Sequence, residues 1–145
     1  MKLLAAIDFS PVTDKILAKI KELYPKMNPK IYLIHVVQPD PDFIGYEVGP
    51  PTERDFRAKG FKDKHKKLQG IAETLLKDGI EATPLLLQGA TIETIIEEGQ
   101  KLNVDFIMIG SHGHGMMYNL LVGSIGNGLL KNSPIPLLII PSKEN

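Results

Sequence analysis

The sequence predicts an α/β fold: a parallel sheet of five strands with helices on both of its faces. Five short apolar runs follow one another along the chain, and segments with helical spacing separate them. Most of the runs are continuous rather than alternating, as in strands that are covered on both faces. Strand and helix repeated in this way require parallel strands joined by right-handed crossovers. Because 145 residues suffice for one ordinary domain but not for two, we expect a single domain over residues 1–145.

The apolar runs themselves are the predicted strands: Leu3–Ile7, Ile31–Val37, Ala82–Leu87, Val104–Ile109 and Pro136–Ile140. After the first run, Ser10 is suited to cap a helix and Pro11 to take its first position. An apolar stripe at helical spacing follows, made of Val12, Ile16, Leu17, Ile20 and Leu23. These residues predict the first helix and the face that it turns to the sheet.

Three more helices are predicted between the later runs. Gln38–Pro51 contains four prolines and is predicted to be a loop, and Thr52–Lys77 a helix that Gly60 and Gly70 weaken. The residues of this helix that we expect to face the sheet are Phe56, Leu68, Ile71, Leu75 and Leu76. In the third helix the corresponding residues are Ile92, Ile95, Ile96 and Leu102, with Thr91 as the cap. A fourth helix is expected from about Ser124.

Pro84 determines the predicted strand order. Proline has no N–H to give to a ladder, so the third strand should lie at an edge of the sheet. The order 3-2-1-4-5 satisfies this condition and leaves a switch point between strands 1 and 4. In open α/β sheets, ligands bind beyond the carboxyl ends of the strands at such a point. Asp8 and the stretch Gly110–Gly115 follow these two strands, so we expect the functional site there.

The composition excludes several classes of protein. Lysine plus arginine equals aspartate plus glutamate at 17 each, which predicts neither a nucleic acid nor a membrane partner. Cysteine is absent, which excludes disulfides, zinc–thiolate sites and a cysteine nucleophile. The apolar N-terminal run ends at Asp8, too early for a signal peptide. We therefore expect a cytoplasmic protein.

The glycine-rich stretch after the fourth run does not match the two familiar phosphate motifs. A Walker loop needs lysine where Met116 stands, and the dinucleotide fingerprint needs a third glycine after Gly113-His-Gly115 that the sequence lacks. What remains is Gly110-x-x-Gly113, then nine residues, then Gly123-Ser124. Glycine lets main-chain N–H groups approach a phosphate, and a helix starting near Ser124 would add its dipole. The alternative is a flexible strand-to-helix connection, with Gly126 and Gly128 marking a poor helix.

This spacing resembles the nucleotide-binding signature of the universal stress protein family, in its ATP-binding branch. The flanking segments "AAIDFSP", "IYLIHVV", "DFIMIGSHGHG" and "LLVGSIGNGLLKNSPIPLLIIP" resemble the family as well, so the likeness spans the whole chain. The resemblance implies a Rossmann-like domain of the adenine nucleotide alpha hydrolase type that binds ATP, ADP or AMP, with or without Mg²⁺. It also implies a homodimer and a binding or signalling role in the stress response. One departure is His114, where many relatives have arginine or lysine.

The resemblance also implies a role for individual residues. Asp8 and the main chain of Ala6 would border the adenosine, and Val36 would contact the base. The ribose and phosphates would lie against Gly110, His112 and Gly113, which follow Ile109. Gly123, Ser124 and Ile125 would hold the phosphate chain. The implied nucleotide-binding set is Ala6, Asp8, Val36, Ile109, Gly110, His112, Gly113, Gly123, Ser124 and Ile125.

Several of these residues have a second interpretation. Asp8 could be a catalytic base or a magnesium ligand, or could cap a turn; its place at the switch point favours ligand contact. His112 and His114 could bind a metal, but no cysteine or carboxylate cluster accompanies them. His35 lies in an otherwise apolar strand, which favours a core histidine whose hydrogen bonds are made.

Enzymatic activity is the alternative to a binding module: a slow ATPase, or a nucleotidyl-transfer enzyme on the same fold. Ser111 and Ser124 lack the nucleophile-elbow sequence, so we predict no catalytic residue. Phosphoryl transfer uses fixed cations, and no lysine or arginine occurs between Gly110 and Leu130.

Two segments could contact partners. Arg57–Lys67 is locally basic, which is more typical of a solvated helix face than of a partner site. The apolar run Pro136–Ile140, at an open sheet edge, predicts the surface of a homodimer.

Overall fold

A computed structural model of the chain describes residues 1–39, 51–112 and 122–142, with the main chain alone in residues 51–57. The elements follow one another in the predicted order: β1 (Lys2–Ala6), α1 (Val12–Met27), β2 (Lys30–Val37), α2 (Pro51–Lys77), β3 (Ala82–Gln88), α3 (Thr91–Leu102), β4 (Phe106–Gly110), α4 (Ser124–Asn132) and β5 (Leu137–Ile140). The type of each predicted helix and strand is confirmed, and most of their predicted boundaries hold to within one residue. The largest difference is at β4, which starts two residues after the predicted Val104. Residues 40–50 of the predicted loop lie outside the described residues.

All five strands form one parallel sheet in the order β3-β2-β1-β4-β5, as predicted. Pro84 lies in β3 opposite Leu33 of β2. Because β3 is the last strand on its side of the sheet, the strand that contains Pro84 is an edge strand, as predicted. β1 and β4 are neighbours in the sheet although β2 and β3 come between them in the chain. The switch point therefore lies between the carboxyl ends of β1 and β4.

Each face of the sheet packs on its own pair of helices. Leu3 and Ala5 of β1 belong to a core cluster with α1 and α2, whereas Leu4 belongs to a cluster with α3 and α4. The alternation follows from the two-residue period of a strand. The predicted helix stripes are buried in these two clusters with one exception in α2, where Leu76 is 59% exposed. Phe56 lies outside the side chains that the structure describes.

The two predicted helix caps are wrong. Pro11, not Ser10, occupies the N-cap position of α1, and Ala90, not Thr91, that of α3. The Ser10 hydroxyl is buried without a hydrogen-bond partner among the described residues, while its carbonyl accepts from Thr13 N–H at 3.0 Å. The hydroxyl of Thr91 accepts instead from Gln38 of the β2 end, at 3.1 Å. At Thr91 a contact between elements therefore replaces the local bond that the sequence favoured.

Gly128 marks a close helix contact rather than a poor helix. A Cβ built on Gly128 would lie 2.0 Å from Cδ1 of Ile92, so α4 approaches α3 closely at this point.

In the part of the chain that the structure describes, no helix combines the length and apolarity that crossing a bilayer demands.

Candidate functional site

Asp8 holds the turn that leaves β1 at the switch point. Its Oδ1 accepts a hydrogen bond from Ser10 N–H at 2.9 Å, so the carboxylate has a local structural role. Phe9, between them, has φ 60°, in the left-handed region that bulky side chains rarely adopt. Such conformations persist only where the surroundings impose them, and they concentrate at functional sites. The turn thus presents Asp8 at the crevice on a constrained backbone.

Gly110 ends β4 against the first turn of α1. A Cβ built on Gly110 would lie 2.6 Å from Cγ1 and 2.8 Å from Cγ2 of Val12. Val12 is β-branched and 4% exposed, so it has no room to turn away. Glycine at this position is therefore required by packing, whether or not a ligand also lies against it.

Gly123 and the first turn of α4 form the second side of the crevice. Gly123 is the N-cap, with φ −67° and ψ 177°, and no described side chain caps this helix end. Its N–H donates to the carbonyl of Ser111 at 2.7 Å, which ties the helix start to the end of β4. The next N–H groups, from Ser124 on, have no partner within the helix. An uncapped helix N-terminus with its partial positive charge is the arrangement that binds anions.

Ser111, His112 and Ser142 form a cluster of hydroxyl and imidazole groups beside this crevice. His112 Nδ1 lies 3.3 Å from the Ser111 hydroxyl and 3.2 Å from the Ser142 hydroxyl, and the two hydroxyls lie 3.1 Å apart. Sequence analysis missed Ser142, because it follows β5, 31 residues away from Ser111 along the chain. No sequence pattern signals such a contact, which arises because β4 and β5 end side by side.

His35 is a half-buried histidine on the face of the sheet that packs on α1 and α2. Its Nδ1 lies 2.6 Å from the carbonyl of Ile7, and since a carbonyl can only accept, Nδ1 carries the proton. The ring packs on Phe9, with 4.5 Å between ring centres. Burial lowers the pKa of His35, the hydrogen bond to Ile7 and the charge of Asp8 oppose this, and Lys64 adds to it.

The lowered pKa of His35 predicts a pH-dependent stability. The unfolded chain binds the proton at an ordinary histidine pKa of about 6.5, while the folded chain binds it only at lower pH. The stabilisation that neutral His35 contributes is therefore fully present above about pH 6.5. We expect the free energy of unfolding to decline as the pH falls below that value. Urea denaturation from about pH 7.5 to 5.5 measures this change. His35→Gln should reduce the slope and the exposed control His65→Gln should not; equal slopes in wild type and His35→Gln would contradict the assignment.

Cations reach this end of the sheet from α1 and α2. Lys67 Nζ lies 5.7 Å from the centre of the Phe9 ring, and Lys64 acts electrostatically on His35. Lys15 of α1 donates to the carbonyl of Ser142 at 2.7 Å. The basic run 57–67 was predicted to be a solvated helix face, and residues 58–67 are exposed except Lys64. The approach of Lys67 to Phe9 is a tertiary contact that the run did not indicate. Nothing in the sequence indicated Lys15.

The structure brings most of the predicted site residues to one end of the sheet. Ala6, Val36, Ile109 and Ile125 pack in the cluster formed with α3 and α4, while Asp8, Gly110, His112, Gly123 and Ser124 lie at strand ends or at the start of α4. Gly113 and His114 lie outside the described residues. Among the residues that are described, no group of three histidine or acidic side chains is placed to hold a metal ion.

Sequence comparison finds one family over nearly the whole chain. The sequence model of the universal stress protein family matches residues 1–141. Universal stress protein A homolog 1 of Coxiella burnetii is 28% identical over 142 residues, which cover 98% of this chain and 96% of that protein.

Solved structures of the same family share the fold. Universal stress protein MJ0577 of Methanocaldococcus jannaschii superimposes with a TM-score of 0.83 at 23% identity, covering 99% of this chain and 98% of that one. A universal stress protein in complex with cAMP gives a TM-score of 0.68 at 13% identity, with 99% and 98% covered. The universal stress protein of Archaeoglobus fulgidus in complex with dAMP gives 0.65 at 18% identity, with 97% of each chain covered.

Proposed function

The chain belongs to the universal stress protein family, and we propose that it binds ATP or a related adenine nucleotide. The observation that carries the proposal is the N-terminus of α4 at the switch point, which no described side chain caps and which lies beside Gly123 and the end of β4. Two proteins of the same fold are known in complex with the adenine nucleotides cAMP and dAMP. Both the chemistry of the crevice and the relatives therefore support a nucleotide ligand.

Each part of the nucleotide has a suitable surface in this arrangement. Ala6 and Val36 are half-buried apolar side chains on one face of neighbouring strands, where a purine ring can pack. The N–H groups of Ser124 and Ile125 and the exposed Ser124 hydroxyl are donors for phosphate oxygens. The carboxylate of Asp8, whose Oδ1 accepts from Ser10 N–H, can also accept from a ribose hydroxyl. Where Mg²⁺ accompanies the nucleotide, the phosphates supply ligands to it.

A binding role agrees better with the site than efficient catalysis does. The cations described at this end of the sheet, Lys15, Lys64 and Lys67, belong to α1 and α2, whereas α4 lies on the opposite face of the sheet. Phosphoryl transfer without cations at the transferred group loses the main source of rate enhancement. We therefore propose a cytoplasmic binding module in the stress response whose nucleotide state changes what it contacts.

Mass spectrometry of small molecules released from the purified protein is the direct test of the ligand. We expect ATP, ADP or AMP in amounts close to one per chain, and isothermal calorimetry should then show binding of added ATP to the emptied protein. Protein that releases no nucleotide and gives no heat with ATP, while its circular dichroism shows a folded α/β domain, would refute the proposal.

Gly123→Val tests where the phosphates bind. A Cβ on Gly123 would make only ordinary contacts, 3.5 Å from Ser111 O and 3.7 Å from His112 Cα, and its φ suits any residue, so the fold should persist. The two further methyl groups would occupy space at the helix start, and we expect ATP affinity to fall at least about tenfold, about 1.4 kcal/mol. The control is Gly60→Val, where an added Cβ meets nothing within 4 Å. Equal ATP affinity of the two variants would remove Gly123 from the site.

A homodimer is the second part of the proposal. β5 is an edge strand, and it contains no charged residue that would protect its open edge from pairing. Pairing of β5 with β5 of a second copy about a two-fold axis would satisfy both edges at once.

A further inference from the structure

The chain after β5 is fastened at Ser142 by three residues from two other parts of the fold. Lys15 Nζ of α1 donates to the carbonyl of Ser142 at 2.7 Å. The N–H of Ser142 donates to the hydroxyl of Ser111 at 2.9 Å, and the Ser142 hydroxyl contacts His112 Nδ1 at 3.2 Å. One residue thus uses its N–H, its carbonyl and its side chain to join α1 to the segment that follows β4. We call the set Lys15, Ser111 and Ser142 the clip.

Ser111 carries this fastening to the start of α4. Its N–H donates to the carbonyl of Ile140 at 2.8 Å, which extends the pairing of β4 with β5 by one residue. Its carbonyl accepts from the N–H of Gly123 at 2.7 Å. Every hydrogen-bonding group of Ser111 is therefore engaged, on one side by β5 and its continuation and on the other by the N-cap of α4. Among the described contacts, Ser111 connects Lys15 and Ser142 to the helix start.

We propose that the clip is a positioning device of the nucleotide site, by which the residues after β5 hold Gly123 and the N-terminus of α4 in the geometry that receives phosphate. The inference rests on the proposed function, but it adds residues that have no place in the family's glycine signature. Lys15 and Ser142 act through Ser111, not by touching the ligand.

The physical reason is preorganisation. A helix N-terminus binds an anion well only if its N–H groups are fixed before the ligand arrives, because ordering them on binding costs conformational entropy. The hydrogen bond from Lys15 has a charged donor, which makes it stronger than a neutral one. Since the clip also continues β5, it connects the nucleotide site to the edge where we propose that two copies pair.

Hydrogen exchange of the nucleotide-free protein tests the clip apart from any ligand. Lys15→Met removes the donor and keeps the aliphatic stem, and it should speed exchange of the Ser142 and Gly123 amides at least about threefold. Lys15→Arg should restore slow exchange. Lys19→Met, one turn along α1 at a surface ion pair with Glu22, is the control and should leave both amides unchanged. Identical exchange in Lys15→Met and Lys19→Met would show that the clip holds nothing.

A double-mutant cycle on ATP affinity tests the positioning role. We expect Lys15→Met and Ser111→Ala each to raise the dissociation constant about fivefold, and the double variant to match the single ones, because both changes release the same segment. An undiminished effect of Lys15→Met in the Ser111→Ala background would mean that Lys15 acts on the ligand directly, which overturns the proposal. Wild-type affinity in Lys15→Met would overturn the clip alone. Absence of ATP binding in the wild type would overturn the proposed function, and with it the clip's role in binding.

Discussion

Replacing Gly110 with alanine should lower the free energy of unfolding by about 1–3 kcal/mol, the usual cost of inserting a methyl group into a packed core. The added Cβ would lie 2.6 and 2.8 Å from the two γ-carbons of Val12, closer than real Cβ atoms approach. The branched Val12 side chain is held by the helix and by the core around it, so β4 and α1 must move apart instead. Chemical denaturation by urea measures the loss.

Removing the opposing side chain should restore part of this stability. Val12→Ala leaves only Cβ, at 3.2 Å from the new methyl group, so the double variant should be more stable than the sum of the single effects predicts, by at least about 1 kcal/mol. Gly70→Ala is the control: it lies in α2 with open space around its Cβ, and should stabilise by about 0.5–1 kcal/mol. Strictly additive effects of Gly110→Ala and Val12→Ala would show that the close approach is not what requires glycine.

Ile139→Pro should convert a dimer into a monomer. Ile107 N–H donates to Pro136 O and Ser111 N–H to Ile140 O, so the even-numbered residues of β5 direct their main-chain groups toward β4. The N–H of Ile139 therefore points to the open edge, and proline removes it without breaking the pairing with β4. Sedimentation equilibrium at micromolar concentration should report twice the chain mass for the wild type and a single chain mass for the variant.

The side chains of β5 are poor targets for the same test. Ile140 is 6% exposed and Leu138 packs in the cluster with α1 and α2, so lysine at either position would destabilise the domain itself. Ile139→Ala is the control for Ile139→Pro, since it also removes the isoleucine side chain but keeps the N–H. This control variant should remain dimeric. A monomeric wild type, or a dimeric Ile139→Pro variant with native circular dichroism, would exclude pairing through β5.

The clearest prediction from sequence was the strand order. Pro84 placed β3 at an edge, and the continuous apolar runs indicated strands buried on both faces; the sheet has the predicted order. These signals are local in the sequence because they depend on the chemistry of one residue or on a short period. The caps at Ser10 and Thr91 were also local predictions, and both were wrong. The Thr91 hydroxyl accepts from Gln38 of another element, and the Ser10 hydroxyl is buried without a partner among the described residues.

For the site, local sequence patterns predicted which residues follow the strands that meet at the switch point: Asp8 after β1, and Gly110 and the start of α4 around the glycine-rich stretch. The packing of Val12 against Gly110, and the meeting of Ser142 and Lys15 beside Ser111, became visible in the folded chain alone. The two kinds of information differ in range. Periodicity and backbone preference act within a few residues, whereas close packing and hydrogen bonds between elements depend on which segments the completed sheet places side by side.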